Sequence, residues 1–171
     1  MDALKKLIRH VPDFPKSGIL FYDITTLLRD RSGFAQAVEC LVVPYRDSAV
    51  DLVIGIESRG FILGAAVADR LNVGFVPVRK AGKLPARTLR AEYDLEYGTD
   101  ALEIHADAVE RGQRVLIVDD LLATGGTARA TVELISRSGA EVQALAFLIE
   151  LEALNGRAKL ENSNVFSLLR Y

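Results

Sequence analysis

The stretch VLIVDDLLATGGT at 115–127 constrains this chain more than any other part of it. Val115, Leu116, Ile117 and Val118 form an aliphatic run of strand length, apolar enough to be buried on both faces. Two carboxylates, Asp119 and Asp120, follow, then a turn of small residues, and from Thr127 a helix-compatible sequence. A strand leading through a loop into a helix N-terminus is the repeating unit of a parallel α/β sheet. In such a loop Ala123, Thr124, Gly125, Gly126 and Thr127 leave backbone N–H groups unobstructed and add hydroxyl donors, while the helix dipole favours an anion at that point. Asp119 and Asp120 offer acceptors for a pair of ribose hydroxyls. Phosphate at one end and a diol at the other describe a ribose 5-phosphate. The spacing is neither that of a Walker loop, which needs a lysine absent here, nor Gly-x-Gly-x-x-Gly.

The rest of the composition narrows the classes. With 171 residues, 50% of them hydrophobic, a full core fits within one domain, residues 1–171, without staples. A lone cysteine, Cys40, excludes an internal disulfide and a thiolate metal cage and suits a reducing compartment; its apolar neighbours make it filler on a helix face. No apolar run reaches the roughly 20 residues of a membrane span, and MDALKKLIRHV lacks a signal-peptide core. A net charge of −2 gives no basic field for duplex nucleic acid. A cytoplasmic protein with small-molecule partners, without nucleic acid or membrane, is expected.

Along the chain, residues 2–9 fit a short amphipathic helix, and Pro12 and Pro15 then force an extended path with a brief strand in DFPKSGILFYDIT. Ser32 is a plausible N-cap for a helix near 33–47. DLVIGI reads as a strand and SRGFILGAAVADRL as a helix; GFVPVR is a strand in which Pro77 suggests an edge or an irregularity. Lys80 to Arg90, basic and broken by Gly82 and Pro85, reads as a mobile surface loop. Tyr93–Tyr97 and Ala101–His105 alternate as strands around Gly98. A helix runs from Thr127 to about Ser138 and ends near Gly139, VQALAFLIEL closes the sheet, and VFSLL is a late strand. Strands alternating with helices imply a mostly parallel central sheet flanked by helices, with ligands beyond the strand C-termini.

Six segments in order, DFPKSGILFYDIT, SRGF at 58–61, RKAGKLP at 79–85, LEYG at 95–98, VDDLLATGGT at 118–127 and the terminal FSLLRY, resemble the adenine-using members of the type I phosphoribosyltransferase family and span nearly the whole chain. The central motif is common to type I enzymes; the N-terminal and LEYG segments select adenine. The resemblance implies a type I phosphoribosyltransferase-like fold with a small base-covering N-terminal hood, about residues 1–30, and a mobile catalytic loop. It implies transfer of a ribosyl 5-phosphate from 5-phosphoribosyl-1-pyrophosphate (PRPP) to adenine, giving AMP and pyrophosphate, in a homodimer. Mg2+ is expected with PRPP, held by substrate oxygens and water rather than by a protein cage.

The same resemblance assigns roles that residue type alone does not. Phe21, by itself an ordinary packing aromatic, is expected to stack on adenine opposite Leu121, with backbone groups at Leu20 reading the base edge; Tyr22 departs from the arginine many members carry and joins this base site. Ser58 and Arg59 are expected on pyrophosphate, in a loop where the family often has a non-proline cis peptide. Arg79, Lys80 and Lys83, which alone read as a solvated basic run, are expected to face the leaving group. Glu96 is the catalytic candidate, a carboxylate for the imidazole proton of adenine. His10 and His105 are read as structural. Another purine base and a PRPP-sensing regulator are the alternatives; the regulator would need a nucleic-acid-binding domain for which 171 residues leave no room.

Overall fold

A computed structural model describes residues 1–94 and 99–171. Its centre is a seven-stranded sheet in the order β5-β6-β4-β3-β7-β8-β9, built from Leu52–Ile56 (β3), Gly74–Lys80 (β4), Thr88–Asp94 (β5), Thr99–His105 (β6), Arg114–Leu122 (β7), Glu141–Glu150 (β8) and Val165–Arg170 (β9). From β4 to β9 every pairing is parallel; β5 and β6 add an antiparallel hairpin at one edge. The aliphatic runs make this arrangement possible, because strands flanked by helices on both faces need apolar residues at successive positions. Successive residues duly enter opposite layers. Val53, Leu116 and Val118 pack on the side of Arg31–Val42 (α3) and Gly60–Leu71 (α4), whereas Ile54, Val115 and Ile117 pack on the side of Gly126–Ser138 (α5).

The N-terminal segment makes a separate two-stranded antiparallel sheet, Arg9–Pro12 (β1) against Leu20–Asp23 (β2), with Val11 opposite Phe21. The helix expected over 2–9 is only Asp2–Lys5 (α1); Leu4 and Ile8 are buried, but pairing with β2 draws residues 9–12 into a strand that their own pattern does not signal. Thr25–Arg29 (α2) was not legible either, and it starts where the Asp23 carboxylate accepts from the Thr25 N–H at 2.8 Å and the Thr25 hydroxyl at 2.9 Å.

Other boundaries move for identifiable reasons. The cap of α3 is Asp30, whose Oδ1 accepts from Gly33 N at 2.7 Å, not Ser32, and the helix ends at Val42 because Pro44 turns the chain into a 3-10 segment. Strand β7 continues past Val118 through both aspartates to Leu122, since β8 still pairs with it at Asp119, Leu121 and Leu122. The loop expected over 80–90 is confined to 81–87, because β4 extends to Lys80 and β5 begins at Thr88. The edge beyond β8 is taken by β9, so VQALAFLIEL does not close the sheet. Pro77 lies in the part of β4 that faces only β3, since β6 joins at Arg79. Helix α5 ends at Gly139, which has φ 83°. Cys40 is half-buried against the α3 core. Tyr97 and Gly98 lie outside the described residues.

The cap assignment is testable. Asp30→Ala should lower stability by about 1 kcal/mol in chemical unfolding, while Ser32→Ala should change it by only a few tenths; the reverse ranking would contradict the cap seen here.

Candidate active site

Strands β3 and β7 run side by side, Gly55 beside Val118, so the turns that follow them open into one space. At the end of β7 the chain carries Asp119 and Asp120 into the interior, 8% and 7% exposed. Asp119 Oδ1 accepts from the Asp120 N–H at 2.9 Å. The first turn of α4 presses on the same carboxylate: a Cβ on Gly60 would stand 2.5 Å from Asp119 Oδ1. Arg59 Nη2 lies 2.8 Å from Asp120 Oδ2, an ion pair by distance whose N–H groups are not aligned into a hydrogen bond. Burial raises the Asp119 carboxyl well above its usual range, helped by the neighbouring Asp120 charge. Burial also raises Asp120, against the opposing pull of Arg59.

Beyond β7 the chain turns at Gly125, with φ 79°, into α5. This glycine is required by its backbone conformation and by what lies behind it, for a Cβ here would stand 2.3 Å from the Gly156 carbonyl oxygen. Gly156 is constrained in the same way, since its own Cβ would meet Ala123 O at 2.2 Å. The loop therefore rests on the 3-10 segment Gly156–Leu160. Arg157 fixes that segment, donating to Glu150 through Nε at 2.6 Å and Nη2 at 2.8 Å, and to Val165 O at 2.9 Å. Burial pushes the Glu150 carboxyl up, but Arg157 and Ser167 outweigh it and hold it below its ordinary value. The sequence reading missed Glu150, Gly156 and Arg157. The one available signal was an acid ending the apolar run ALAFLIE.

A small cavity of about 60 Å3 lies in the turn, lined by Asp119 and residues 121–128, and opens toward a cleft of about 540 Å3. Glu57, Ser58, Arg59, Lys80, Asp119, Asp120, Leu121, Ala123 and Thr127 line the larger space, so residues predicted from three separate segments meet there. Ser58 and Arg59 precede α4, and the Glu57–Ser58 peptide bond is cis. Arg79 and Lys83 do not line this cleft. Arg79 Nε is 3.2 Å from Glu57 Oε2 and its Nη1 donates to Lys83 O at 3.1 Å, while Lys80 N–H donates to the same Glu57 oxygen at 3.0 Å. Burial raises Glu57, yet Lys80 N–H and Arg79 hold its carboxyl below the ordinary range.

The β1–β2 sheet approaches through Phe21, over whose ring the Arg59 guanidinium sits at 5.1 Å; Phe14 meets Phe21 edge-on at 5.1 Å. Leu20 is exposed beside it. Tyr22 emerges on the other face of β2 and packs with His10 at 5.1 Å and Tyr171 at 4.5 Å, away from Phe21. His105 leaves its Nε2 buried and without a hydrogen bond among the described residues. Glu96 lies outside the described residues. A second cleft of about 230 Å3 sits across α5, with Glu92 and Glu133 in its wall set against Arg129 and Lys159.

Residues 28–168 match the family described as phosphoribosyl transferase domain, a match that begins after β2. The chain is 62% identical over 170 residues to the adenine phosphoribosyltransferase of Acidobacterium capsulatum, covering 99% of this chain and 94% of that relative. Among solved structures, adenine phosphoribosyltransferase from Thermoanaerobacter pseudethanolicus superposes with a TM-score of 0.96 at 53% identity, covering 99% of each chain. The Saccharomyces cerevisiae enzyme, complexed with D-2,5-dideoxy-2,5-imino-altritol 1,6-bisphosphate and adenine, gives 0.93 at 42% identity over 98% of this chain and 97% of that one.

Two predictions follow from the geometry. Because the folded-state Asp119 carboxyl titrates above its unfolded value of about 3.8, the native state loses stability as pH rises through that interval, and at neutral pH its burial is a cost. Asp119→Asn keeps the Oδ1 acceptor and does not titrate, so it should raise unliganded stability at pH 7, with the gain fading toward pH 4; a loss of stability across the whole range would contradict this. Gly125→Val, and Gly156→Ala behind the loop, should each weaken ribose 5-phosphate binding at least tenfold, roughly 1.4 kcal/mol, in a protein that remains folded by circular dichroism. Unchanged affinity in both would remove the loop from the site.

Proposed function

The chain belongs to the phosphoribosyltransferase family, and on that premise we propose that it transfers the 5-phosphoribosyl group of PRPP to N9 of adenine, releasing AMP and pyrophosphate in purine salvage. The observation that carries this reading is the meeting of the Asp119–Asp120 pair, the Ala123–Thr127 turn and the Arg59–Phe21 contact around one cleft. A ribosyl phosphate placed there has its phosphate at the N-terminus of α5 and its diol at the carboxylates, and its C1 looks toward the hood.

In this reading backbone N–H groups of Ala123–Thr127 and the hydroxyls of Thr124 and Thr127 hold the 5-phosphate. Asp119 and Asp120 accept from the ribose hydroxyls. Arg59 has two roles, with its charge toward the pyrophosphate and its planar group against Phe21. Ser58, at the N-terminus of α4, and Lys80 take the leaving group, and Arg79 and Lys83 add field from behind because Arg79 is committed to Glu57. Adenine sits between Phe21 and Leu121, with its edge against the Leu20 backbone; Tyr22 acts on this site only by setting the pose of β2. As the C1–O bond to pyrophosphate breaks and N9 supplies the electron pair to C1, the imidazole proton of adenine passes to Glu96.

Among the described residues no three His, Cys, Asp or Glu side chains gather to hold a metal. Asp119 and Asp120 are the carboxylates that would stand beside Mg2+ carried in by PRPP, whose remaining ligands would be substrate oxygens and water. The chemistry Mg2+ would supply there is neutralisation of negative charge on pyrophosphate. Residues 1–171 act as one unit with residues 1–30 as its base-covering hood, and a homodimer in the cytoplasm is the assembly and location proposed, consistent with a single unpaired thiol.

Incubation with PRPP and Mg2+ should give AMP from adenine, with hypoxanthine, guanine and xanthine turned over at least 100-fold less efficiently; equal use of a 6-oxopurine would overturn the base assignment. Glu96→Gln should slow single-turnover AMP formation about 10²- to 10⁴-fold with little change in PRPP affinity. An unaltered chemical step in that variant would move the proton acceptor elsewhere.

A further inference from the structure

Three cations in and beside the cleft are paired with carboxylates: Arg59 with Asp120, Arg79 with Glu57, and Lys80 with Asp100. The first two carboxylates lie on the strand ends that form the cleft. Asp100 comes from outside it, from the β5–β6 hairpin, where it stands opposite Tyr93. Its Oδ2 is 3.7 Å from Lys80 Nζ and accepts from the Tyr93 hydroxyl at 3.2 Å, while Oδ1 accepts from Ala101 N–H at 2.8 Å. Those bonds, Ala101 first, hold its carboxyl below the ordinary range, so it is charged at neutral pH.

The two sides of this contact are unequal. The Lys80 side chain is 58% exposed and reaches Asp100 only at ion-pair distance, so it swings away at little cost when a stronger anion arrives. Asp100 is held in place by two hydrogen bonds that do not involve Lys80. An anion bound at Lys80 therefore meets a fixed negative charge nearby. We propose that Asp100 is a positioning residue that competes with pyrophosphate for Lys80 and repels it once bound, weakening the hold on the leaving group and favouring its departure. This rests on the reading of Lys80 as a pyrophosphate ligand.

A unit charge several ångströms from a polyanion, in surroundings close to water, alters affinity roughly three- to tenfold. The full chain is titrated with magnesium pyrophosphate and, separately, with AMP, as wild type, Asp100→Asn and Lys80→Gln. Asp100→Asn should tighten pyrophosphate about three- to tenfold, leave AMP affinity and thermal stability unchanged, and lose most of the gain at high salt, where an exposed charge is screened. Lys80→Gln should weaken pyrophosphate. If Lys80→Gln weakens it and Asp100→Asn leaves it unchanged or weaker, the role of Asp100 is overturned while that of Lys80 stands. If Lys80→Gln has no effect, the Lys80 reading falls, and the proposal with it. A purely structural Asp100 would loosen both ligands together.

Discussion

Burying two adjacent carboxylates at the end of a central strand is the constraint around which the rest of this molecule is arranged. Asp119 and Asp120 are carried inside because β8 continues to pair with β7 beyond the aliphatic run. Their charge is tolerated through one backbone N–H, the Arg59 guanidinium and the close approach of α4, which only a glycine at position 60 permits. Such a pair raises its own protonation range and costs stability while unliganded. In the proposed role as acceptors for a diol, the pair gains from being set in place before substrate arrives, because acceptors fixed by the fold need no rearrangement on binding.

The turn at Ala123–Thr127 depends on a second close contact, backbone against backbone. Gly125 and Gly156 leave no room for a Cβ between them, and the Glu150–Arg157 pair sets where Gly156 stands. The ligand loop is thus held from behind by the segment between β8 and β9. Charge around the cleft follows a pattern in which Arg59, Arg79 and Lys80 are each matched with a carboxylate, so the cleft presents cations without a large excess of positive field.

Much of this was legible from residue order. The run Val115–Val118 marks the strand and the Thr-Gly-Gly-Thr turn marks the start of α5 within a residue, because a buried parallel strand and a glycine turn each have strong local chemistry, whereas the end of the strand lies four residues further on, where pairing with β8 carries it through both aspartates. The strand at Arg9–Pro12 was invisible because only its partner β2 makes it a strand, and Asp30 was passed over for Ser32 because both are good caps and only the backbone path decides between them. The same limit applies to the site. Ser58, Arg59 and Lys80 were identified as residues, but that Arg79 turns to Glu57, that Arg59 also covers Phe21, and that Tyr22 joins Tyr171 depend on contacts between segments far apart in sequence. Glu150, Gly156 and Arg157 act only through the loop they support, and no local motif announces them.

The central claim, that the end of β7 and the start of α5 form one seat for a ribosyl phosphate, is tested most directly by following backbone amide resonances during titration with ribose 5-phosphate. Saturable shifts are predicted at Ala123, Thr124, Gly125, Gly126 and Thr127, with smaller ones at Asp119 and Asp120, and none confined to the cleft lined by Glu92, Arg129 and Glu133. Saturation with the loop amides unmoved, or shifts centred on that other cleft, would contradict the account.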